Sequence, residues 1–369
     1  MLKREDEKPM KVCLFGSYAP DPMNEILKKK LELAGIEIVE CQEDIHKSII
    51  SIVRAYVKLF FKLRGIDYDI IIIPLWRALL TLPLAKIFSR KPIVYYGYMP
   101  VYDTVVNDRK LVKPNSIKAK LIYLYEKLSW RFSDMIIKES DAEIDYCVDQ
   151  FHADRKKFRR LFISADESKF LACPFKEAQD VFTVFLFGTF IPHHGIETVI
   201  EAAKILSDKD DIIFKLAGKG QSRIEMEKLA EKYKLKNVEF LGWVEFEVLL
   251  ENINESDVCL GIFGGTSKAS YGVTNKVYQI LCSQKPLITM DSKAIHEIHL
   301  ENGKSCILVP SKDPQKLAEG IIYLKNNAER RREIALTGRK IFLEHLSMEK
   351  TSRQLVGYLY ELLESHKRH

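Results

Sequence analysis

Apolar positions along the chain form short runs that alternate with amphipathic stretches. Asp69–Pro74, Pro92–Tyr96 and Phe182–Phe187 are almost continuously aliphatic or aromatic, rather than apolar at every second position. Such runs are typical of strands buried on both faces, as in a parallel sheet. Stretches between them, such as Ile196–Leu206, space their apolar residues as a helix does. The pattern predicts strand followed by helix, repeated along the chain.

The alternation runs through one half of the chain and then starts again. Two consecutive doubly wound α/β units are the simplest interpretation. We expect a first domain over residues 1–168, a linker over 169–178, a second domain over 179–346 and a final helix over 347–369. The predicted strands are Lys11–Phe15, Glu37–Glu40, Asp69–Pro74, Pro92–Tyr96, Asp134–Lys138, Phe182–Phe187, Ile212–Ala217, Val238–Leu241, Val258–Ile262, Leu287–Met290 and Ser305–Val309.

Composition narrows the class of protein. The 369 residues are 47% hydrophobic and 29% charged, values typical of globular proteins. No apolar run approaches the roughly 18 residues of a membrane-spanning helix, and the charged start MLKREDEKPM lacks the apolar core of a signal peptide. The seven cysteines contain no C-x-x-C pair, which argues against a disulfide framework. We expect a cytoplasmic protein.

The charge is unevenly distributed. The net charge is +6, and residues 1–170 carry all of the excess, with 30 basic and 24 acidic side chains. Residues 171–369 are balanced. This asymmetry predicts an acidic partner for the first half, such as anionic lipid, nucleic acid or a phosphorylated substrate.

Three glycine-bearing loops of the second half are the candidates for chemistry. They are Phe187–Gly195 (FGTFIPHHG), Ala217–Gln221 (AGKGQ) and Gly261–Lys276, and each lies between a predicted strand and a helix. Glycine lets the backbone approach a ligand, and a helix N-terminus offers free N–H groups to a phosphate. The first loop alone equally suits an ordinary turn, and the second loop alone is weak evidence. Because the three should converge at one sheet edge, they favour a phosphorylated ligand.

Metal motifs receive little support. Asp67-Tyr68-Asp69 has the D-x-D spacing of a metal-bound nucleotide site, but it directly precedes a buried strand, where a solvated turn is the better interpretation. The histidines at 296 and 299 lack the H-E-x-x-H spacing of a zinc site. We therefore expect neither a metal nor another cofactor.

The ordered motifs resemble nucleotide-sugar glycosyltransferases of the retaining family 4. FGTFIPHHGIETVIEAAKIL is similar to that family's Gly-Arg-x-x-x-x-Lys-Gly segment, FKLAGKGQ to its second glycine loop and VEFLGWV to the segment that holds the donor's base. NKVYQILCSQKP resembles the donor-binding helix, and SMEKTSRQLVGYLYELL the helix that crosses back to the first domain. FGSYAP and VYDTVVNDRKLV fit more loosely.

The resemblance implies an α/β protein of the GT-B fold, with two doubly wound Rossmann-like domains facing a central cleft. It implies a hexosyltransferase-type enzyme that moves a sugar from a nucleoside-diphosphate sugar to a glycan or lipid-linked acceptor. Retention of anomeric configuration and a role in the biosynthesis of cell-surface polysaccharide are implied as well.

This sequence departs from the family's pattern at its charged positions. The arginine and lysine that clamp the diphosphate correspond to Thr189 and His194, and the Glu-x7-Glu pair corresponds to Tyr271 and Gln279. The family's active-site histidine of the first domain has no counterpart near Gly97, where Asp103 is the nearest acidic substitute. Lys268 and Lys276 could supply the missing positive charge.

The site prediction follows from the loops and the resemblance together. Asp103, His194 and Lys276 are the predicted catalytic residues, with an ordinary turn carboxylate as an equally good interpretation of Asp103. The predicted donor-binding residues are Gly16, Ser17, Gly188, Thr189, Gly218, Lys219, Val244, Gly264, Gly265, Thr266, Lys268, Asn275, Lys276 and Gln279.

Two basic stretches predict peripheral attachment to the inner face of the cell membrane. In His46–Arg64, Lys47, Arg54, Lys58 and Lys62 share one side of a predicted helix, and Lys113–Arg131 adds further basic and aromatic residues. The apolar side is assigned to Ile49, Ile52, Val53, Tyr56, Val57 and Phe60, which leaves Leu59 and Phe61 for exposure. Ordinary solvated lysines are the alternative. Nucleic acid is disfavoured because no base-reading motif accompanies the charge.

Two rival functions remain open on the same scaffold. A nucleotide-sugar epimerase would use the donor without an acceptor, and a non-catalytic or weakly active donor-binding protein would explain the missing carboxylates. Fold alone does not distinguish them, whereas turnover of the donor with and without acceptor would.

Overall fold

The computed structural model describes residues 9–17, 22–43, 48–74, 78–175 and 180–368. The chain divides into two compact units. Unit 1 comprises Met1–Tyr102, Val112–Ile163 and Met348–His369, and unit 2 comprises Asp103–Leu111 and Ser164–Ser347. Within the described residues, no helix is both long enough and apolar enough to span a bilayer.

Unit 1 is built on a parallel sheet of six strands in the order β2-β1-β3-β4-β5-β6. Its central strands are buried on both sides, as the continuous apolar runs predict. The strands are β1 (Lys11–Ser17), β2 (Glu37–Glu43), β3 (Ile70–Pro74), β4 (Ile93–Tyr96), β5 (Met135–Lys138) and β6 (Phe158–Arg160).

Helices cover both faces of this sheet, and each face has its own apolar core. One core takes Leu59, Leu82, Trp130 and Phe151 from α2 to α5, and the other takes side chains from α1 and the final helix. The helices are α1 (Pro22–Leu33), α2 (Ile49–Arg64), α3 (Ala78–Phe88), α4 (Ile117–Phe132), α5 (Asp141–Phe151) and the final helix Met348–Lys367.

Unit 2 repeats the architecture with a parallel sheet in the order β12-β11-β10-β7-β8-β9. The strands are β7 (Phe182–Phe187), β8 (Ile212–Ala217), β9 (Val238–Gly242), β10 (Val258–Leu260), β11 (Leu287–Met290) and β12 (Ile307–Val309). The helices are α6 (Ile196–Ile205), α7 (Arg223–Lys232), α8 (Phe246–Glu255), α9 (Ser267–Tyr271), α10 (Asn275–Cys282), α11 (Lys293–Glu297), α12 (Pro314–Asn326) and α13 (Ala328–Ile341).

The boundaries of the units differ from the predicted domains. The chain leaves unit 1 after Ile163 rather than at residue 168, and residues 176–178 of the predicted linker lie outside the described residues. The larger correction concerns Asp103–Leu111, which the sequence assigned to the first domain and the structure groups with unit 2. The reason is a set of buried hydrogen bonds that its aspartates accept, described below.

Candidate functional site

The three predicted glycine loops meet at one edge of unit 2. All the strands of this sheet are parallel, so the loops after β7, β8 and β10 leave from its carboxyl edge. Backbone hydrogen bonds join them, from Gly188 N to Ala217 O at 2.9 Å, Phe190 N to Lys219 O at 2.9 Å and Phe263 N to His194 O at 3.1 Å. These bonds join the backbones of the three loops at this edge of the sheet.

Glycine is required where these loops touch. Gly188 has φ +125° and Gly218 has φ +147°, a region that residues with a Cβ rarely adopt. A Cβ on Gly218 would overlap the carbonyl oxygen of Gly188, and one on Gly188 would lie 3.2 Å from the Cε atom of Lys276. The first two loops are thus packed backbone to backbone, with Lys276 directly beside them.

Lys276 is a buried cation at the start of α10. Its side chain is 4% exposed, and its Nζ atom lies 3.3 Å from Gly261 O and 3.5 Å from His194 Nδ1. In the described part of the chain its ammonium forms no ion pair. Burial lowers the pKa of Lys276 to about 7. Burial, together with the charge of Lys276, also holds the pKa of His194 well below its ordinary value.

Asp103 anchors the segment Asp103–Leu111 to this edge. Its Oδ1 atom accepts hydrogen bonds from Asn107 Nδ2 at 2.7 Å and Ser267 Oγ at 3.1 Å. Its Oδ2 atom accepts one from the hydroxyl of Tyr271, at the position of the family's first glutamate. Asp103 is completely buried, so its carboxylate holds α9 in place. A role toward an acceptor stays a prediction.

A second aspartate of the same segment contacts the first glycine loop. Asp108 Oδ2 lies 2.8 Å from His193 Nδ1, and Asp108 Oδ1 accepts a hydrogen bond from Thr266 Oγ1 at 3.1 Å. Burial alone would raise the pKa of Asp108, but the hydrogen bond and charge of His193 bring it below the ordinary value. The ionised carboxylate therefore connects two of the predicted donor loops.

The same segment also engages Lys268, one of the predicted donor-binding residues. Lys268 Nζ donates a hydrogen bond of 2.8 Å to Thr104 Oγ1, and both side chains are buried. Of the two lysines that could replace the missing diphosphate clamp, Lys268 thus donates its hydrogen bond to Thr104 of the segment Asp103–Leu111. Lys276 is the one placed beside Gly188 and His194.

The remaining predicted residues lie around this centre or in unit 1. Lys219 is exposed, with its ammonium 4.5 Å from the ring centroid of Trp243. Asn275 and Gln279 are half-buried on α10, Val244 is half-buried in the loop after β9, and Thr189 is exposed in the loop after β7. Gly264 is buried and Gly265 exposed after β10. Gly16 and Ser17 end β1 and belong to unit 1.

Sequence reasoning missed Asp108, His193 and Thr104. One signal was present: Asp103 and Asp108 are the only acidic residues between Asp69 and Glu126 in an otherwise basic stretch. Clusters of three or more histidine, cysteine, aspartate or glutamate side chains suited to a metal ion do not occur among the residues that the structure describes.

Removing the charge of Asp103 tests its anchoring role. We expect Asp103→Asn to lower the free energy of unfolding by about 1.5–3 kcal/mol, because a buried carboxylate with three donors is replaced by an amide that must itself donate. Denaturant unfolding measures this. Asp149→Asn, on the exposed side of α5, is the control and should change stability by no more than about 0.5 kcal/mol. Equal effects of the two substitutions would contradict the anchoring role.

Comparison with known proteins adds an independent line of evidence. Residues 181–327 match the family model described as glycosyl transferases group 1. An uncharacterized glycosyltransferase of Methanocaldococcus jannaschii is 24% identical over 311 residues, which cover 80% of this chain and 76% of the relative. The matched family segment contains every strand of unit 2 and all three glycine loops.

Solved structures show the same fold. HepE of Anabaena, in complex with UDP, has a TM-score of 0.71 at 15% identity, covering 95% of this chain and 100% of that chain. Sucrose-phosphate synthase of Thermosynechococcus elongatus has a TM-score of 0.72 at 16% identity, covering 97% of this chain and 100% of that one.

Proposed function

We propose that this glycosyltransferase of the GT-B fold moves a sugar from a nucleoside-diphosphate sugar to a glycan or a lipid-linked acceptor. The observation that carries the proposal is Lys276, a buried ammonium without a carboxylate partner among the described residues, placed between glycine loops at the carboxyl edge of the sheet. Burying such a cation alone costs free energy, and an anion that binds beside it offsets this cost.

The chemistry requires that negative charge be stabilised on the leaving group. When the bond between the anomeric carbon and the diphosphate oxygen breaks, the electron pair stays on the diphosphate, while the acceptor oxygen forms the new bond to carbon. Lys276, the amide of Thr189 and the N-terminus of α10 would place positive charge at that oxygen. This arrangement needs no metal ion, and we propose that none is required.

The proposed donor is held by α10 and the loops after β7, β8 and β9. HepE was crystallised with UDP, which supports a nucleoside diphosphate as the ligand of this fold. Gln279 would hydrogen-bond the ribose in place of the family's second glutamate, and the segment around Val244 would contact the base. Tyr271, at the position of the family's first glutamate, donates its hydroxyl hydrogen bond to the carboxylate of Asp103.

We further propose that the acceptor belongs to cell-surface glycan biosynthesis, that transfer retains anomeric configuration and that the enzyme works at the inner face of the cell membrane. The basic excess of the first half supports attachment to an anionic surface.

A non-catalytic donor-binding protein is the competing candidate, favoured by Tyr271 and Gln279 at the positions of the family's carboxylates. A thermal-shift screen of nucleoside diphosphates and their sugars identifies the donor, since a bound ligand raises the apparent stability. Turnover of that donor, with and without a glycan or lipid-linked acceptor, then decides. Transfer supports the proposal, isomerisation would indicate an epimerase, and binding without turnover would indicate the non-catalytic alternative.

The pKa of Lys276 predicts how donor affinity depends on pH. Below pH 7 the ammonium is already protonated, and above pH 7 the free protein must take up a proton to bind the diphosphate. Because the bound anion raises the pKa of Lys276, affinity should fall by up to about tenfold per pH unit above pH 7. Calorimetric titration with the intact nucleotide sugar between pH 7 and 9 measures this, since its diphosphate does not titrate there. A flat profile would contradict the role of Lys276.

A further inference from the structure

Three helices of unit 1 leave large apolar side chains exposed, and on two of them these side chains form regular rows. On α2 the row consists of Ile50, Val53, Val57 and Phe61, with 81%, 57%, 50% and 67% exposure. On α4 it consists of Ile117, Leu121, Leu124 and Leu128, with 79%, 60%, 51% and 37% exposure. Ile87 of α3 is 75% exposed. We call these nine side chains the outer helix face.

The rows lie on the sides of the helices that point away from the sheet. The inward sides of α2 and α4 bury Leu59 and Trp130 in the core. α3 packs between them, with the Phe60 and Phe88 rings 4.7 Å apart on one side and close helix contacts to α4 on the other. Each row follows the helical repeat, so it forms a continuous stripe. α2 and α4 therefore each have two apolar sides: one is buried against the sheet, and the other belongs to the outer helix face.

The charged residues of these helices select the partner. α2, α3 and α4 contain nine lysines and arginines and a single acidic residue, Glu126, which is buried. Lys58 pairs with Glu43 at 3.7 Å and Lys86 with Asp134 at 2.9 Å, outside the three helices. The other basic side chains flank the apolar rows: Arg54, Lys62, Arg64, Lys118, Lys120, Lys127 and Arg131. Apolar rows bordered by cations match an anionic bilayer, which offers acyl chains below a layer of negative headgroups.

We propose that the outer helix face docks unit 1 on an anionic membrane by inserting its apolar rows between the lipid headgroups. The inference rests on the proposed function, because a lipid-linked acceptor would bring the enzyme to a bilayer. The sequence assigned Val53 and Val57 to the packed side and Leu59 to the exposed side, and the structure reverses both assignments. Attachment therefore depends on apolar insertion as well as on charge.

Co-sedimentation of the full chain with vesicles tests the proposal. Vesicles of phosphatidylcholine with 30% phosphatidylglycerol should bind the protein, and vesicles of phosphatidylcholine alone should bind it at least tenfold more weakly. Phe61→Ser combined with Leu121→Ser should reduce binding to the anionic vesicles at least tenfold. Ile224→Ser is the matched control, since Ile224 is 68% exposed on α7 of unit 2, and it should leave binding unchanged.

Two further readouts separate insertion from charge. Phe61→Trp should show a blue shift of its emission on addition of anionic vesicles that persists at high salt, whereas Arg54→Gln with Lys120→Gln should weaken binding chiefly at low salt.

Three outcomes would overturn the docking proposal. They are an equal loss of binding with the Ile224 control, no binding to either kind of vesicle, and a stable dimer that Phe61→Ser and Leu121→Ser disrupt. Donor affinity of the same variants should be unchanged. If the vesicle result fails while donor binding and transfer hold, only the docking surface is wrong; if donor binding fails while vesicles bind, only the transferase mechanism is wrong.

Discussion

Lys276→Met is expected to weaken donor binding at least tenfold and at the same time to stabilise the protein. Burial lowers the pKa of Lys276 to about 7 in the folded protein, whereas the pKa of an unfolded lysine is near 10.5. Burying the protonated lysine therefore lowers the free energy of unfolding. This destabilisation is complete below pH 7 and disappears above about pH 10.5. Methionine fills similar volume without charge, so we expect the free energy of unfolding at pH 7 to rise by on the order of 2–4 kcal/mol.

The same substitution should lower catalytic activity while it raises stability. Under the proposed mechanism, loss of the charge that stabilises the leaving diphosphate should lower kcat/KM by about 100-fold or more. Lys228→Met is the matched control, an exposed lysine on α7 of the same unit, and should change neither quantity. Denaturant unfolding and steady-state turnover measure the two effects. If Lys276→Met bound the donor as well as the parent does, the assignment of Lys276 would be wrong even if stability rose.

Gly218→Ala is the second substitution with a large expected effect. Gly218 has φ +147°, and its Cβ would fall on the carbonyl oxygen of Gly188, which cannot move without displacing the first glycine loop. We expect the free energy of unfolding to fall by about 3 kcal/mol or more, combining backbone strain with a steric clash. Donor affinity should fall as well, because both loops would lose their geometry.

The final helix offers the matching control for a glycine substitution. A Cβ on Gly357 would meet nothing within 4 Å, and its backbone is helical. Gly357→Ala should therefore raise stability by about 0.5–1 kcal/mol without affecting the donor. Equal behaviour of the two variants would show that the loops at 188 and 218 are not packed as described.

Much of the fold could be predicted because parallel strands buried on both faces leave a clear pattern. The eleven predicted strands all occur, and the comparisons confirm the predicted GT-B fold and the class of enzyme. β6, with the sequence FRR, was missed because it is short and charged. α3 was missed because ALLTLPLAKIF is apolar at nearly every position and contains Pro83, so it shows no helical periodicity.

The candidate site could be predicted only in part. The glycine loops and Lys276 follow from local sequence, but the attachment of Asp103–Leu111 to unit 2 depends on hydrogen bonds between residues more than 80 positions apart. No local pattern encodes such pairs. The predicted orientation of α2 was wrong for a similar reason. A helix with apolar residues on two sides can pack either side against a sheet, and tertiary packing buries the side with Tyr56 and Leu59.

Calorimetric titration of the nucleotide sugar chosen by the thermal-shift screen, into the parent protein and Lys276→Met at pH 7, tests the central claim most directly. The parent should bind one equivalent of donor, with uptake of a fraction of a proton that appears as a dependence of the heat on the ionisation enthalpy of the buffer. Lys276→Met should bind at least tenfold more weakly, with no such dependence. Equal affinity and equal proton uptake in the two proteins would contradict a donor site built around Lys276.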